Sequence, residues 1–132
     1  MKAAPPTRVL IVDDNDLMRT ILRGILRAEN CEICGEARNG AVAIDMVEIK
    51  HPDVVFLDVM MPEMDGLEAL QAIKSMRPET AVIMVTGNPS VGNVQEAIQN
   101  GAAGFIVKPF NAGKVLGALQ HALAATRRPA TP

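Results

Sequence analysis

Short runs of branched aliphatic residues recur along this 132-residue chain at intervals of about two dozen residues. They occupy residues 9–12, 32–36, 54–57, 81–85 and 104–107. Most are continuous in hydrophobicity rather than alternating, which marks strands buried on both faces, as in a parallel sheet. The run at 32–36 (Glu32-Ile33-Cys34-Gly35-Glu36) is less apolar and suits a sheet edge. Each run is followed by a segment of helical periodicity, and that alternation restricts the fold more than any other feature.

Leu17, Ile21, Leu22, Ile25 and Leu26 trace one face of a first helix, which Asn15 or Asp16 is placed to cap. Ala43, Ile44 and Val47 do the same before the break at His51-Pro52. Leu67, Leu70, Ile73 and Met76 follow Gly66 and stop before Pro78. Val91, Val94, Ala97 and Ile98 run from a Ser90 cap to Gly101, and Gly92 weakens the first turn by about 1 kcal/mol relative to Ala. Val115, Leu116, Leu119 and Leu123 make the last helix, with Asn111 as cap and Phe110 and Val115 as a hydrophobic staple.

The chain therefore reads as α/β, a three-layer doubly wound (βα)5 arrangement with helices on both faces of a parallel sheet. Right-handed crossovers leave few topologies, and the expected one is the flavodoxin-like five-stranded order 2-1-3-4-5. The length suits one domain, expected over residues 8–125, with Pro-rich tails at 1–7 and 126–132.

Charge and composition exclude several classes of partner. Thirteen basic and fifteen acidic residues give a net charge of −2, with no overall footprint for DNA or anionic lipid. Three Phe, no Tyr and no Trp leave no stacking platforms for single-stranded nucleic acid. No apolar run approaches the ~20 residues of a membrane span, and the first residues lack the apolar core of a signal peptide. A cytoplasmic location without membrane insertion is expected. Cys31 and Cys34 form a C-x-x-C, but no second pair completes a zinc site, and residues three apart on a strand point to opposite faces. Both read as reduced thiols, and His51 and His121 as solvent-side residues.

In open α/β sheets, ligands bind beyond the carboxyl ends of the strands at the point where strand order reverses, here between strands 1 and 3. The first strand ends in Asp13-Asp14, the third in Asp58, the fourth in Thr86 and the fifth in Lys108-Pro109. Three carboxylates in one crevice repel unless a cation intervenes. A hard cation with oxygen ligands, Mg²⁺, balances the charge together with Lys108 and leaves the site poised to accept a phosphoryl group. A carboxylate is a competent nucleophile for that transfer. Asp58, alone at its strand end before the loop Val59-Met60-Met61-Pro62, is the best candidate, while Lys108 and Thr86 are placed to hold phosphoryl oxygens. Asp65 and Glu63 read as turn and helix-start residues, and Met60, Met61 and Met64 as loop packing rather than a soft-metal site.

At these residues the chain resembles the receiver domains of two-component response regulators. The likeness covers about residues 7 to 125. It rests on Val9-Leu10-Ile11-Val12-Asp13-Asp14, on the stretch from Asp58 to Gly66, on Val85-Thr86-Gly87, and on the stretch from Gly101 to Phe110. The resemblance implies that Asp58 is the phosphoacceptor for a histidine kinase or a His phosphotransfer protein. It implies that Asp13 and Asp14 hold Mg²⁺, with Asp58 and the main-chain carbonyl of Met60 completing the protein ligands. Thr86 becomes the switch hydroxyl, Phe105 the switch aromatic and Lys108 the cation on the phosphoryl group, with a cis Lys108-Pro109 bond. Met60 and Asn88 then flank the approach of a hydrolytic water. Phe105 departs from the commoner Tyr, and Met60 from the polar residue often found at its position.

The implied function is a phosphorylation-controlled switch, with self-phosphorylation and self-dephosphorylation as its only chemistry. A downstream partner would read the face built from the fourth helix, fifth strand and fifth helix, and the chain is expected to be a monomer or a weak phosphorylation-dependent dimer. With no room for a helix-turn-helix after residue 125, direct nucleic-acid binding is not expected. The alternative is the receiver portion of a longer response regulator or hybrid kinase. A phosphatase of the Asp-x-Asp type fails because Met60 stands where its second carboxylate belongs, and a nucleotide-binding module fails for want of a Gly-rich loop after the first strand.

Overall fold

The structure, a computed structural model, describes residues 5–61, 64–89 and 91–127. Strands β1 (Thr7–Val12), β2 (Cys31–Ala37), β3 (Val54–Asp58), β4 (Ala81–Thr86) and β5 (Gly104–Val107) alternate with five helices. These are α1 (Asp16–Arg27), α2 (Gly40–Lys50), α3 (Gly66–Met76), α4 (Val91–Gln99) and α5 (Ala112–Arg127). The strands pair in parallel in the order β2-β1-β3-β4-β5, the expected doubly wound topology.

The continuous apolar runs serve two cores at once. Leu10, Val12, Val55, Leu57, Val82 and Met84 face one layer with Val47 of α2, Leu70 and Ile73 of α3 and Ala97 of α4. Val9, Ile11, Val54, Phe56, Ile83 and Val85 face the other, with Leu22 and Leu26 of α1 and Val115 and Leu119 of α5. Cys31 packs on the second side and Cys34 on the first, so the two thiols point away from each other across the edge strand.

Side-chain caps set where the helices begin. Asn15, not Asp16, caps α1 by accepting the Met18 N–H, while Asn39, Asp65 and Asn111 cap α2, α3 and α5 in the same way. Phe110 and Val115 share the α5-side core as a staple requires. The expected Ser90 cap lies outside the described residues, as does Glu63. His51 ends α2 in the left-handed conformation at φ 51° and is exposed, its Nε2 2.9 Å from Arg77 Nη2.

Two expected apolar faces are only partly covered. Leu17 is 63% exposed because, at about 100° per residue, it stands about 140° and 180° around α1 from the buried Leu22 and Leu26. Ile98 is also 63% exposed; α4 meets the sheet through the small Ala97, and the next position turns outward by about 100°. Two boundaries also move. Thr7 belongs to β1, buried with its N–H on the Asn30 carbonyl, rather than to a tail. The last helix continues through Ala124 and Ala125, strong helix formers, to Arg127 rather than stopping at 125.

Candidate functional site

Where β1 and β3 part company at the carboxyl edge, the chain delivers three carboxylates to one place. Asp13 follows the last residue of β1 and Asp58 is the last residue of β3; they are 1% and 4% exposed, whereas Asp14 faces solvent. One carboxylate oxygen from each lies within 4.8 Å of the others. Lys108, just past β5, reaches across with Nζ 3.0 Å from Asp13 Oδ2 and 3.6 Å from Asp58 Oδ1.

Asp13 is held at every polar atom. Its N–H donates to the Ala37 carbonyl at 3.0 Å, and Oδ1 accepts the Asn15 N–H at 2.9 Å. Its carbonyl accepts from Arg19 Nη1 at 2.6 Å, and Oδ2 takes the Lys108 ammonium. Asp58 is less compensated. Burial, then the Asp13 charge, raises its pKa from 3.8 to about 6; Lys108 opposes the rise, Asp14 adds to it, and a hydrogen bond from the Met60 N–H works against it.

The turn after Asp58 is drawn tight. Val59 N–H donates to the Val85 carbonyl, and Gly66 N–H returns to the Val59 carbonyl at 2.7 Å. A Cβ on Gly66 would sit 2.2 Å from the Asp58 carbonyl oxygen, so no other residue fits without moving the backbone. Met61 is buried and Met64 packs over Gly40, whereas Met60 is 60% exposed beside the carboxylates.

Thr86 closes β4, fully buried, with Oγ1 accepting the Asn88 N–H at 3.1 Å and its carbonyl accepting the Lys108 N–H at 2.7 Å. The register pairs Met84 with Phe105 and Thr86 with Val107, which puts Phe105 and Thr86 on the same face, diagonally adjacent. Phe105 is partly buried against the α2–α3 side core. The Lys108-Pro109 bond is cis.

Comparison with known families matches residues 9–120 to the response regulator receiver domain. The chain belongs to that family. The chemotaxis protein CheY of Listeria monocytogenes is 46% identical over 115 residues, 87% of this chain and 97% of that protein. CheY of Bacillus subtilis is 43% identical over 116 residues, 88% of this chain and 97% of that protein. Among solved structures, the CheX–CheY–BeF3–Mg²⁺ complex from Borrelia burgdorferi superposes with a TM-score of 0.87 at 32% identity, covering 89% of this chain and 90% of that one. This receiver domain is thus CheY-like, and its function class is phosphorylation-dependent signalling rather than turnover of an external substrate. Among the described residues no helix is long and apolar enough to cross a membrane.

The donor set of the receiver domain fits Mg²⁺. All three side chains offer hard carboxylate oxygens, two of them buried, and the ammonium that touches the pair balances one charge of three. Arg19 is the residue that sequence reasoning passed over. Its spacing from Asp13 fixes nothing by itself, because its partner there is a main-chain carbonyl, and its other anchor, Glu36, stands on the edge strand.

Proposed function

We propose that this receiver domain accepts a phosphoryl group on Asp58 from the phosphohistidine of a histidine kinase or a His phosphotransfer protein. The observation that carries the reading is the pairing of a buried, charge-strained Asp58 with Lys108 and two further carboxylates in one crevice. An Asp58 oxygen attacks phosphorus in line; the P–O bond forms as the P–N bond to the donor imidazole breaks, and that nitrogen leaves with the electron pair. Lys108 neutralises charge on the transferred group. Asp13, Asp14, Asp58 and the Met60 carbonyl are the residues that would hold Mg²⁺, which when bound offsets the negative charge of the phosphoryl oxygens. Asp58 has to be ionised to attack, which a pKa of about 6 permits at neutral pH.

The new oxygens carry about −1.5 to −2 charge and attract the Thr86 hydroxyl away from the Asn88 N–H. Phe105, diagonal to Thr86 on the same face, turns into the space released, and α4, β5 and α5 repack. That face already exposes Ile98 and Val107, apolar side chains that suit a downstream protein partner. The chain acts as a monomer or a weak phosphorylation-dependent dimer. Acetyl phosphate with Mg²⁺, followed by intact mass, tests the assignment. A gain of one phosphoryl group that disappears in Asp58→Asn supports it, and full modification of that variant refutes it.

A further inference from the structure

The Asp13 carbonyl is bound by a guanidinium that reaches two other elements as well. Arg19 lies in α1 with its side chain 14% exposed. Nη1 donates to the Asp13 carbonyl at 2.6 Å, Nη2 pairs with Asp16 Oδ1, and Nε lies 3.4 Å from Glu36 Oε1 on β2. Glu36 is itself fixed by Arg23 Nη1 at 2.5 Å, and Asp16 by Arg38 Nη2 at 3.5 Å. The planar fork thus ties the end of β1 to the start of α1 and to the edge strand, a geometry that a lysine ammonium does not reproduce.

We propose that Arg19 is a positioning residue for Asp14 in Mg²⁺ binding, acting through the Asp13 carbonyl; this rests on the reading of the cluster as a Mg²⁺-dependent phosphoacceptor site. A peptide unit is planar, so holding the Asp13 carbonyl oxygen also fixes the Asp14 N–H and Cα. Asp13 keeps three other restraints, from Ala37, Asn15 and Lys108, and stays in place without Arg19. Asp14 is exposed, so the direction of its carboxylate depends on the peptide plane that leads into it. Asp16 and Glu36 offset the guanidinium charge, which makes its contribution one of geometry rather than of field.

The test is calorimetric titration of Mg²⁺ into wild-type, Arg19→Ala, Arg19→Lys and Arg23→Ala proteins, with thermal unfolding of each. Arg23→Ala breaks the Glu36 pair without touching Asp13, and reports what general loosening of the network does. Arg19→Ala and Arg19→Lys are expected to weaken Mg²⁺ binding by about tenfold or more, the usual effect of losing a partner behind a metal ligand. Arg23→Ala is expected to lower Tm while leaving the affinity near wild type. Phosphorylation by acetyl phosphate should then reach the wild-type rate in both Arg19 variants once Mg²⁺ is saturating. Wild-type affinity in Arg19→Ala overturns the inference, and so does full retention in Arg19→Lys, which would make charge sufficient. Should Arg19→Ala fail to fold, Arg19→Lys decides alone. Wild-type protein that binds no Mg²⁺ overturns the parent reading, a result distinct from either.

Discussion

Lys108 and Asp13 are 95 residues apart in the chain, yet Lys108 Nζ stands 3.0 Å from Asp13 Oδ2, nearer than its 3.6 Å to Asp58 Oδ1. The ammonium therefore offsets the buried acidic pair when no metal is bound. Lys108→Met leaves Asp13 and Asp58 without it, and metal-free stability near neutral pH is expected to fall by about 1–3 kcal/mol. Added Mg²⁺ should restore more stability to the variant than to wild type, because the dication replaces the missing charge. Thermal unfolding with and without Mg²⁺ reads this; an equal deficit in both buffers would make the lysine a packing residue.

Asp58 makes the metal-free protein sensitive to pH in a definite direction. Its folded pKa of about 6 lies above the 3.8 of an unperturbed Asp, so the folded state holds the proton more tightly than the unfolded chain. The stability this contributes is complete below about pH 3.8 and is lost as pH rises through about 6. The shift corresponds to on the order of 3 kcal/mol. Asp58→Asn is expected to remove this loss and to unfold at higher denaturant than wild type at neutral pH without Mg²⁺. Denaturant midpoints of the two proteins from acid to neutral pH check it, and parallel curves would count against the strained carboxylate.

Two glycines separate close approach from helix propensity. Gly66→Ala forces a Cβ to 2.2 Å from the Asp58 carbonyl oxygen, a backbone atom with nowhere to go. The expected cost is about 3 kcal/mol or more, together with slower phosphorylation as the β3–α3 turn opens. Gly24, inside α1, has nothing within 4 Å of the added methyl, so Gly24→Ala should stabilise by roughly 0.5–1 kcal/mol. Chemical denaturation of both variants reads the contrast; similar effects would mean that the turn is not tight.

How much of this was legible in the sequence depends on the kind of contact. Continuous apolar runs identify β1, β3 and β4, because a strand covered on both faces has to be apolar at every position, and the strand-end residues follow from the topology. Helical periodicity names a face but not its cover. The apolar residues of α1 span about half its circumference and only the side of Leu22 and Leu26 is covered, so Leu17, about 180° from Leu26, faces solvent. Asn15 and Asp16 are equally good caps on paper, and the bond from the Met18 N–H selects Asn15. Arg19 acts on a main-chain oxygen and leans on Glu36 of another element, so no spacing rule reveals it. The cis Lys108-Pro109 bond and the switch roles proposed for Phe105 and Thr86 rest on the family resemblance, because neither isomer state nor switching has a local signature.

The persistence of the phosphoryl group depends on what a hydrolytic water meets. Attack on an aspartyl phosphate requires a water in line with the Asp58–phosphorus bond. Met60 and Asn88, which the family resemblance sets beside that approach, are both exposed. A thioether is a weak acceptor, so Met60 crowds the path without orienting a water. The Asn88 side chain donates and accepts hydrogen bonds but is no base, and the main-chain N–H of the same residue is engaged with Thr86 Oγ1 at 3.1 Å. The phosphorylated protein is therefore expected to decay slowly. Met60→Ala clears the path and Met60→Asn adds a group that holds water, so both should hasten the loss. The measurement is the decay of phosphoprotein in Mg²⁺ buffer after acetyl phosphate is removed. If both variants decay at the wild-type rate, the side chain at position 60 does not gate the water, and the lifetime is set by the carboxylates and Lys108 instead.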